Sequence, residues 1–149
     1  MITYKSSMPE LKLQYVRGNF PKVKITSSEQ AYKVLLPMFD ADMIEYREEF
    51  VCLFTNKANN TIGYQRISTG GTYGTVVNEQ MILTSALLCG AQAIIMAHNH
   101  PSGETKPSDQ DKTVTKKIYE AARLLNITLL DHLIITPDKY LSFSDEGLM

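Results

Sequence analysis

The residues best able to do chemistry lie close together. His98-Asn99-His100-Pro101-Ser102-Gly103 sets two histidines one residue apart; seven residues then separate His100 from Ser108, and two more separate Ser108 from Asp111. Two imidazoles and a carboxylate form the usual three-ligand set of a catalytic zinc, which keeps one coordination position open. Such an ion, one per chain, lowers the pKa of a bound water to about 7 and polarises a substrate carbonyl.

Hydrolysis also needs a group that takes a proton from water and hands it to the leaving group, a role suited to a carboxylate. Glu48 and Glu49 are the candidates, because they open the apolar run Phe50-Val51-Cys52-Leu53-Phe54, where partial burial raises a carboxyl pKa. Strand alternation puts only one of the two on a given face. Ser108 has two readings, a donor to a developing oxyanion and a helix N-cap. The same donor set also suits Fe(II). The H-x-E with P-C-x-x-C pattern of zinc deaminases and the H-E-x-x-H pattern are absent, as are a P-loop and a strand-G-x-G-x-x-G-helix unit.

These residues need elements to hold them. Residues 91–97, Ala-Gln-Ala-Ile-Ile-Met-Ala, are a short apolar run expected to form a buried strand. It delivers His98 and His100 to one face at its end. Ser108-Asp109-Gln110-Asp111 is a capping box for a helix over 109–125, with Val114, Ile118, Ala121, Ala122 and Leu125 on the buried face. Asp111 then sits in the first turn, where the helix terminus favours a carboxylate. Upstream, Thr26-Ser27-Ser28-Glu29 is another capping box, and apolar spacing predicts a helix over 28–43 that Pro37 should end or kink. Residues 48–54 and 61–68 suggest a hairpin turned at Asn59-Asn60. Gly70, Gly71 and Gly74 punctuate a loop. A helix capped by Asn78 is expected to run to Gly90 with Met81, Leu83, Ala86 and Leu87 marking its pattern. Strands over 127–136 and 140–143 close the chain. Helices between strands indicate a layered α/β or α+β domain.

Bulk properties exclude several classes. The chain of 149 residues is 44% hydrophobic and 21% charged, enough for one ordinary core and unlike a disordered chain. Its net charge of −1 makes it no electrostatic magnet for nucleic acid. Residues 1–25 differ: Lys5, Lys12, Arg17, Lys22 and Lys24 face only Glu10, and Tyr4, Tyr15 and Phe20 lie among them. This basic arm is expected to lie against the core, with DNA binding as the alternative. Residues 26–149 form the remaining unit. No apolar run can span a bilayer and no signal peptide opens the chain, so a cytoplasmic protein without membrane partners is expected. Cys52 and Cys89 read as small buried side chains. Exposed strand edges permit a homodimer.

The pattern of an upstream glutamate, H-x-H, seven residues, S, two residues and D resembles the JAMM metalloenzyme motif without a gap. The surrounding words resemble its RadC-like branch: Glu-Glu-Phe, Ser-Thr-Gly-Gly-Thr, His-Asn-His-Pro-Ser-Gly, Pro-Ser-Asp-Gln-Asp, Leu-Asp-His-Leu-Ile-Ile and a terminal Ser-Phe, spread over residues 45–149. The resemblance implies a cytidine-deaminase-like α-β-α sandwich with a central mixed β-sheet, of the JAB/MPN type. It implies zinc held by His98, His100 and Asp111, Glu48 rather than Glu49 as the base, and Ser108 as a catalytic contact. Similar JAMM enzymes cleave peptide or isopeptide bonds, so a hydrolase of amide bonds is the expectation. RadC-like proteins also carry a DNA-repair name, and short ones often belong to mobile elements. An accessory protein that binds DNA or a protein partner and keeps a structural or vestigial metal site is therefore the alternative. Longer members carry a helical segment before this domain, and the short N-terminus here is expected to be without it. Asp131 and His132 read as structural hydrogen-bonded residues, with a contact behind the metal ligands as the other reading of each. Glu104 and Lys106 read as solvated.

Overall fold

A computed structural model describes residues 8–149 except Leu13, Tyr15, Arg17, Phe20 and 71–75. The expectations for Tyr4, Lys5, Tyr15, Arg17, Phe20, Gly71 and Gly74 therefore lie outside the described residues. Those residues form helices α1 (Ser28–Leu35), α2 (Glu79–Leu88) and α3 (Asp109–Leu124), and strands β1 (Glu49–Thr55), β2 (Thr61–Thr69), β3 (Ala93–Asn99), β4 (Thr128–Ile135) and β5 (Tyr140–Ser142). The strands make one mixed sheet in the order β2-β1-β3-β4-β5. Only β3 and β4 are parallel, and α3 is their crossover. This is the α-β-α sandwich with a central mixed β-sheet that the sequence implies.

β3 is the centre of the sheet and is buried along its whole length. Its alternation divides the core. Ile94 and Met96 join Phe50, Cys52 and Phe54 of β1 under α2 and α3, where Ile82, Ala86, Ile118 and Ala122 cover them. Ile95 and Ala97 join Val51, Leu53, Leu133 and Ile135 on the opposite face, under Ala31, Val34 and Leu35 of α1. Ile25 belongs to this second cluster, so the chain is already packed where residues 23–25 run beside the β1–β2 turn. No helix among the described residues is long and apolar enough to cross a membrane.

Several boundaries move. α1 gives way to a 3-10 turn at Leu36–Met38 and a series of turns over 41–46, not a helix to 43. Pro37 enters that turn and cannot donate to the α-helical ladder. The cap of α1 is Ser27, one residue later than Thr26: its hydroxyl accepts the Gln30 N–H, while the Gln30 side-chain amide oxygen Oε1 accepts the Thr26 N–H. β3 runs two residues further than expected and takes in His98 and Asn99. The core residues of α2 are Ile82 and Ala86, and Leu87 is 53% exposed. α2 is apolar nearly all round, so spacing alone left its rotation open. On α3, Thr115 takes a buried place and Leu125 is 41% exposed, because the helix turns Thr115 toward β4. Cys52 is buried, but Cys89 is only half-buried at the end of α2. Gly90 holds φ +67° after α2, and Asn126 holds φ 57° after α3, the left-handed residues that stop each helix.

The rotation of α2 can be checked directly. Ile82→Ala is expected to cost about 2–5 kcal/mol in urea unfolding. Leu87→Ala, at a surface position, should stay within about 0.5 kcal/mol. A reversed order would place Leu87 in the core.

Candidate metal centre

β1 and β3 are antiparallel neighbours with Phe50 opposite His98. The register brings the start of β1 to the end of β3, and β4 brings His132 to the other side of His98. α3 returns over the same sheet end with Asp111 in its first turn.

His98 Nε2 and His100 Nε2 are 3.0 Å apart. Asp111 closes the triangle, with Oδ1 3.1 Å from His98 Nε2 and Oδ2 3.1 Å from His100 Nε2. A tetrahedral zinc with bonds of about 2.0–2.1 Å separates its donors by about 3.3 Å, so the three groups are spaced to share one small cation. Their chemistry fits as well. His100 uses its Nδ1–H on the Glu104 carbonyl, 2.8 Å away, which leaves Nε2 with its lone pair facing inward. Electron-rich atoms this close need positive charge between them, supplied by protons on the imidazoles or by a metal ion. In the metal-free protein the Asp111 hydrogen bond raises the His100 pKa above 6.5, against burial, and the Glu104 bond adds to it. Burial alone would raise the Asp111 carboxyl, but hydrogen bonds from His100 and His98 outweigh it and hold Asp111 well below the carboxylate range.

The two glutamates point to different tasks. Glu49 is buried and its carboxylate is taken: Arg66 Nη1 approaches at 2.6 Å, Arg47 Nη2 at 3.2 Å, and the Asp40 N–H donates at 3.2 Å. Glu48, the residue before β1, is half-buried. Burial raises its carboxyl above the ordinary 4.5; His98 and His100 oppose the rise and Asp111 reinforces it. Glu48 thus lies within electrostatic reach of all three donors, and among the described residues no side chain pairs with its carboxylate.

Ser108 meets both claims on its hydroxyl. It caps α3 as an acceptor, with the Asp111 N–H 3.0 Å from Oγ, and Asp111 Oδ2 returns the contact by accepting the Ser108 N–H at 2.8 Å. Capping uses a lone pair, so the hydroxyl proton stays free to donate.

Three supporting residues were not singled out from the sequence. Asn99, turned to the face opposite the histidines, accepts the Glu49 N–H at 2.7 Å and donates to the Ile44 and Arg47 carbonyls at 2.7 and 2.8 Å. It clamps the segment that carries Glu48, and an amide inside an otherwise apolar strand is the signal that could have marked it. Thr115, one turn after Asp111, donates to the Asp111 carbonyl at 2.7 Å and lies 2.6 Å from His132 Nδ1. Arg66 enters from β2. His132 is fully buried, and its Nε2 is 2.8 Å from His98 Nδ1. Burial, with His98 next, pushes its pKa well below 6.5, so it is a neutral imidazole. Phe50 stacks on His98 and Phe143 on His132, which walls the inner side of the site with hydrocarbon. Asp131 serves the fold instead, accepting from Ser142 Oγ and from the N–H groups of His132 and Ser144. The Glu104 and Lys106 side chains are exposed.

Fold and site together define an α/β sandwich with a two-histidine, one-aspartate candidate metal centre at the end of its central strand. The chain belongs to the RadC-like JAB domain family, whose model matches residues 25–148. It is 45% identical over 125 residues to a UPF0758 protein of Flavobacterium johnsoniae, covering 84% of this chain and 53% of that one. It is 42% identical over 126 residues to a UPF0758 protein of Porphyromonas gingivalis, covering 84% and 54%. A UPF0758 protein of Methanosarcina mazei is 35% identical over 129 residues, covering 87% and 55%. The chain thus spans about half the length of the curated relatives it matches.

The Asn99 clamp is testable through stability. Asn99→Ala leaves the Glu49 N–H and two carbonyls without partners, and unfolding in urea should show a loss of at least about 2 kcal/mol. A loss below about 0.5 kcal/mol would mean that the 44–49 segment is held by other contacts.

Proposed function

We propose that this protein is a zinc-dependent hydrolase that cleaves an amide or isopeptide bond. The observation that carries the reading is the convergence of His98, His100 and Asp111 within 3.0–3.1 Å, with a half-buried, unclaimed Glu48 beside them. A structural zinc site is normally closed by four protein ligands, whereas this cluster offers three.

His98, His100 and Asp111 would hold the ion. When bound, it supplies Lewis acidity toward a water and a carbonyl oxygen. Glu48 acts as the proton carrier: its carboxylate takes a proton from the attacking water and passes it to the departing amine nitrogen. A carboxyl raised by burial suits both halves of that task, being a better base before attack and still an acid afterwards. The Ser108 hydroxyl donates to the oxygen that gains negative charge as the carbonyl carbon becomes tetrahedral. The α3 cap holds that hydroxyl in place. The amine leaves with the proton from Glu48, and the acyl group leaves as a carboxylate.

Turnover should be measured on a panel of peptides and lysine-isopeptide-linked peptides, with zinc content determined in parallel. Wild type is expected to cleave at least one class. Glu48→Gln should keep its zinc and lose about 10²–10⁴-fold in kcat. His98→Ala should lose the zinc itself. A metal-loaded Glu48→Gln with unchanged turnover would remove the assigned base.

The pH profile has a fixed sign. Glu48 must be ionised to accept a proton, so kcat/KM should fall on the acid side as Glu48 becomes protonated, and Glu48→Gln should remove that limb. An acid limb that persists unchanged in Glu48→Gln would exclude Glu48 as its source.

A further inference from the structure

A chain of hydrogen bonds runs behind the metal centre, and its direction can be read. A threonine hydroxyl has one proton. Thr115 gives it to the Asp111 carbonyl at 2.7 Å, because a carbonyl can only accept. Its oxygen must then accept from His132 Nδ1, 2.6 Å away. The His132 ring is fully buried between Phe50 and Phe143, and among the described residues its two nitrogens meet only Thr115 and His98, with no carboxylate on the ring to pair a charge, so it carries one proton, and that proton on Nδ1 leaves Nε2 bare. That bare nitrogen lies 2.8 Å from His98 Nδ1, which must be the donor. The hydrogen bond to Asp111 in the metal-free cluster needs a second proton on the same ring; once His98 carries one N–H, as it must to bind a metal, that N–H is on Nδ1, and Nε2 keeps its lone pair facing His100 and Asp111.

We propose that His132, backed by Thr115, is a positioning residue that locks His98 in the Nδ1–H tautomer and so aims its Nε2 lone pair at the metal. The free side chain in water favours the opposite tautomer, with Nε2 protonated and unable to bind an ion. His100 is set by a single backbone carbonyl, whereas His98 is set by a relay crossing from α3 to β4 to β3. The relay begins on the backbone of Asp111, itself a ligand, so seating α3 on the sheet aligns the carboxylate and the His98 ring together. A phenylalanine at 132 would fill similar space between Phe50 and Phe143, but it could not accept from His98. The proposal deepens the metal-site part of the function above and rests on it for its consequence, not for its geometry.

The test uses the full chain with His132→Phe, His132→Gln and Thr115→Val. Ring-nitrogen NMR of the metal-free protein, above the range where imidazoles protonate, reads the His98 tautomer. Competition against a chromophoric chelator reads the zinc affinity. Wild type should show Nδ1–H at His98. His132→Gln, whose amide can accept from His98 and donate to Thr115, should keep that tautomer and most of the affinity. His132→Phe should move His98 toward the Nε2–H form and weaken zinc binding about 10–100-fold. Thr115→Val, which unsets the His132 proton, should shift both in the same direction. If His132→Phe does not fold, His132→Gln against Thr115→Val provides the same contrast. Unchanged tautomer and affinity within about twofold in the folded variants that break the relay would overturn the proposal. If wild type binds no zinc, the metal reading fails, and the His98 tautomer in the metal-free protein still decides the relay.

Discussion

The antiparallel pairing of β1 with β3, with Phe50 opposite His98, is the constraint on which the site depends. It aligns Glu48 with the histidines, which lie some fifty residues away in the chain. Slipping β1 by one residue would turn Phe50 away from His98 and exchange the faces of Glu48 and Glu49. The register is held by the fully buried apolar run of β1, by the matching run of β3, and by Asn99, whose side chain reaches into the backbone before β1. The position of Glu48 is thus set by core packing.

β3 also separates two electrostatic environments by the width of one sheet. On the α3 side, His98 lies between His100, Asp111 and His132, where proton positions matter. On the α1 side, Glu49 is bound by two guanidiniums and Asn99 by backbone groups. The second set is a brace. Glu49 is buried with its charge paired, so removing either arginine would leave a buried carboxylate less well compensated. Among the described residues Glu48, its neighbour in the chain, has no such pairing.

The start of α3 carries an unusual density of roles. Its cap, its candidate metal ligand and the first link of the relay are Ser108, Asp111 and Thr115, spread over two turns. The Asp111 carboxylate faces both histidines and also closes the capping box. One helix terminus therefore stabilises itself with the same atoms that complete the candidate metal centre, and a change there touches fold and site together.

The sequence by itself determined the candidate ligand set and much of the fold. H-x-H in an apolar run and an aspartate in a capping box are local patterns, and short-range geometry turns them into direction. The layered α/β class followed from element order, and the family words named the same fold. Tertiary structure decided what depends on contacts between distant residues. Glu48 and Glu49 are chemically identical in the chain, and only Arg47, Arg66 and Asn99 distinguish them. Ile82 and Leu87 exchange core and surface because α2 is apolar around most of its circumference and only the sheet fixes its rotation. His132 looked like a structural histidine, and it became a partner of His98 because parallel β3–β4 pairing set the strands side by side. The ring proton on His98 was beyond any local reading: three elements have to meet before a single hydroxyl in α3 can decide which nitrogen is bare.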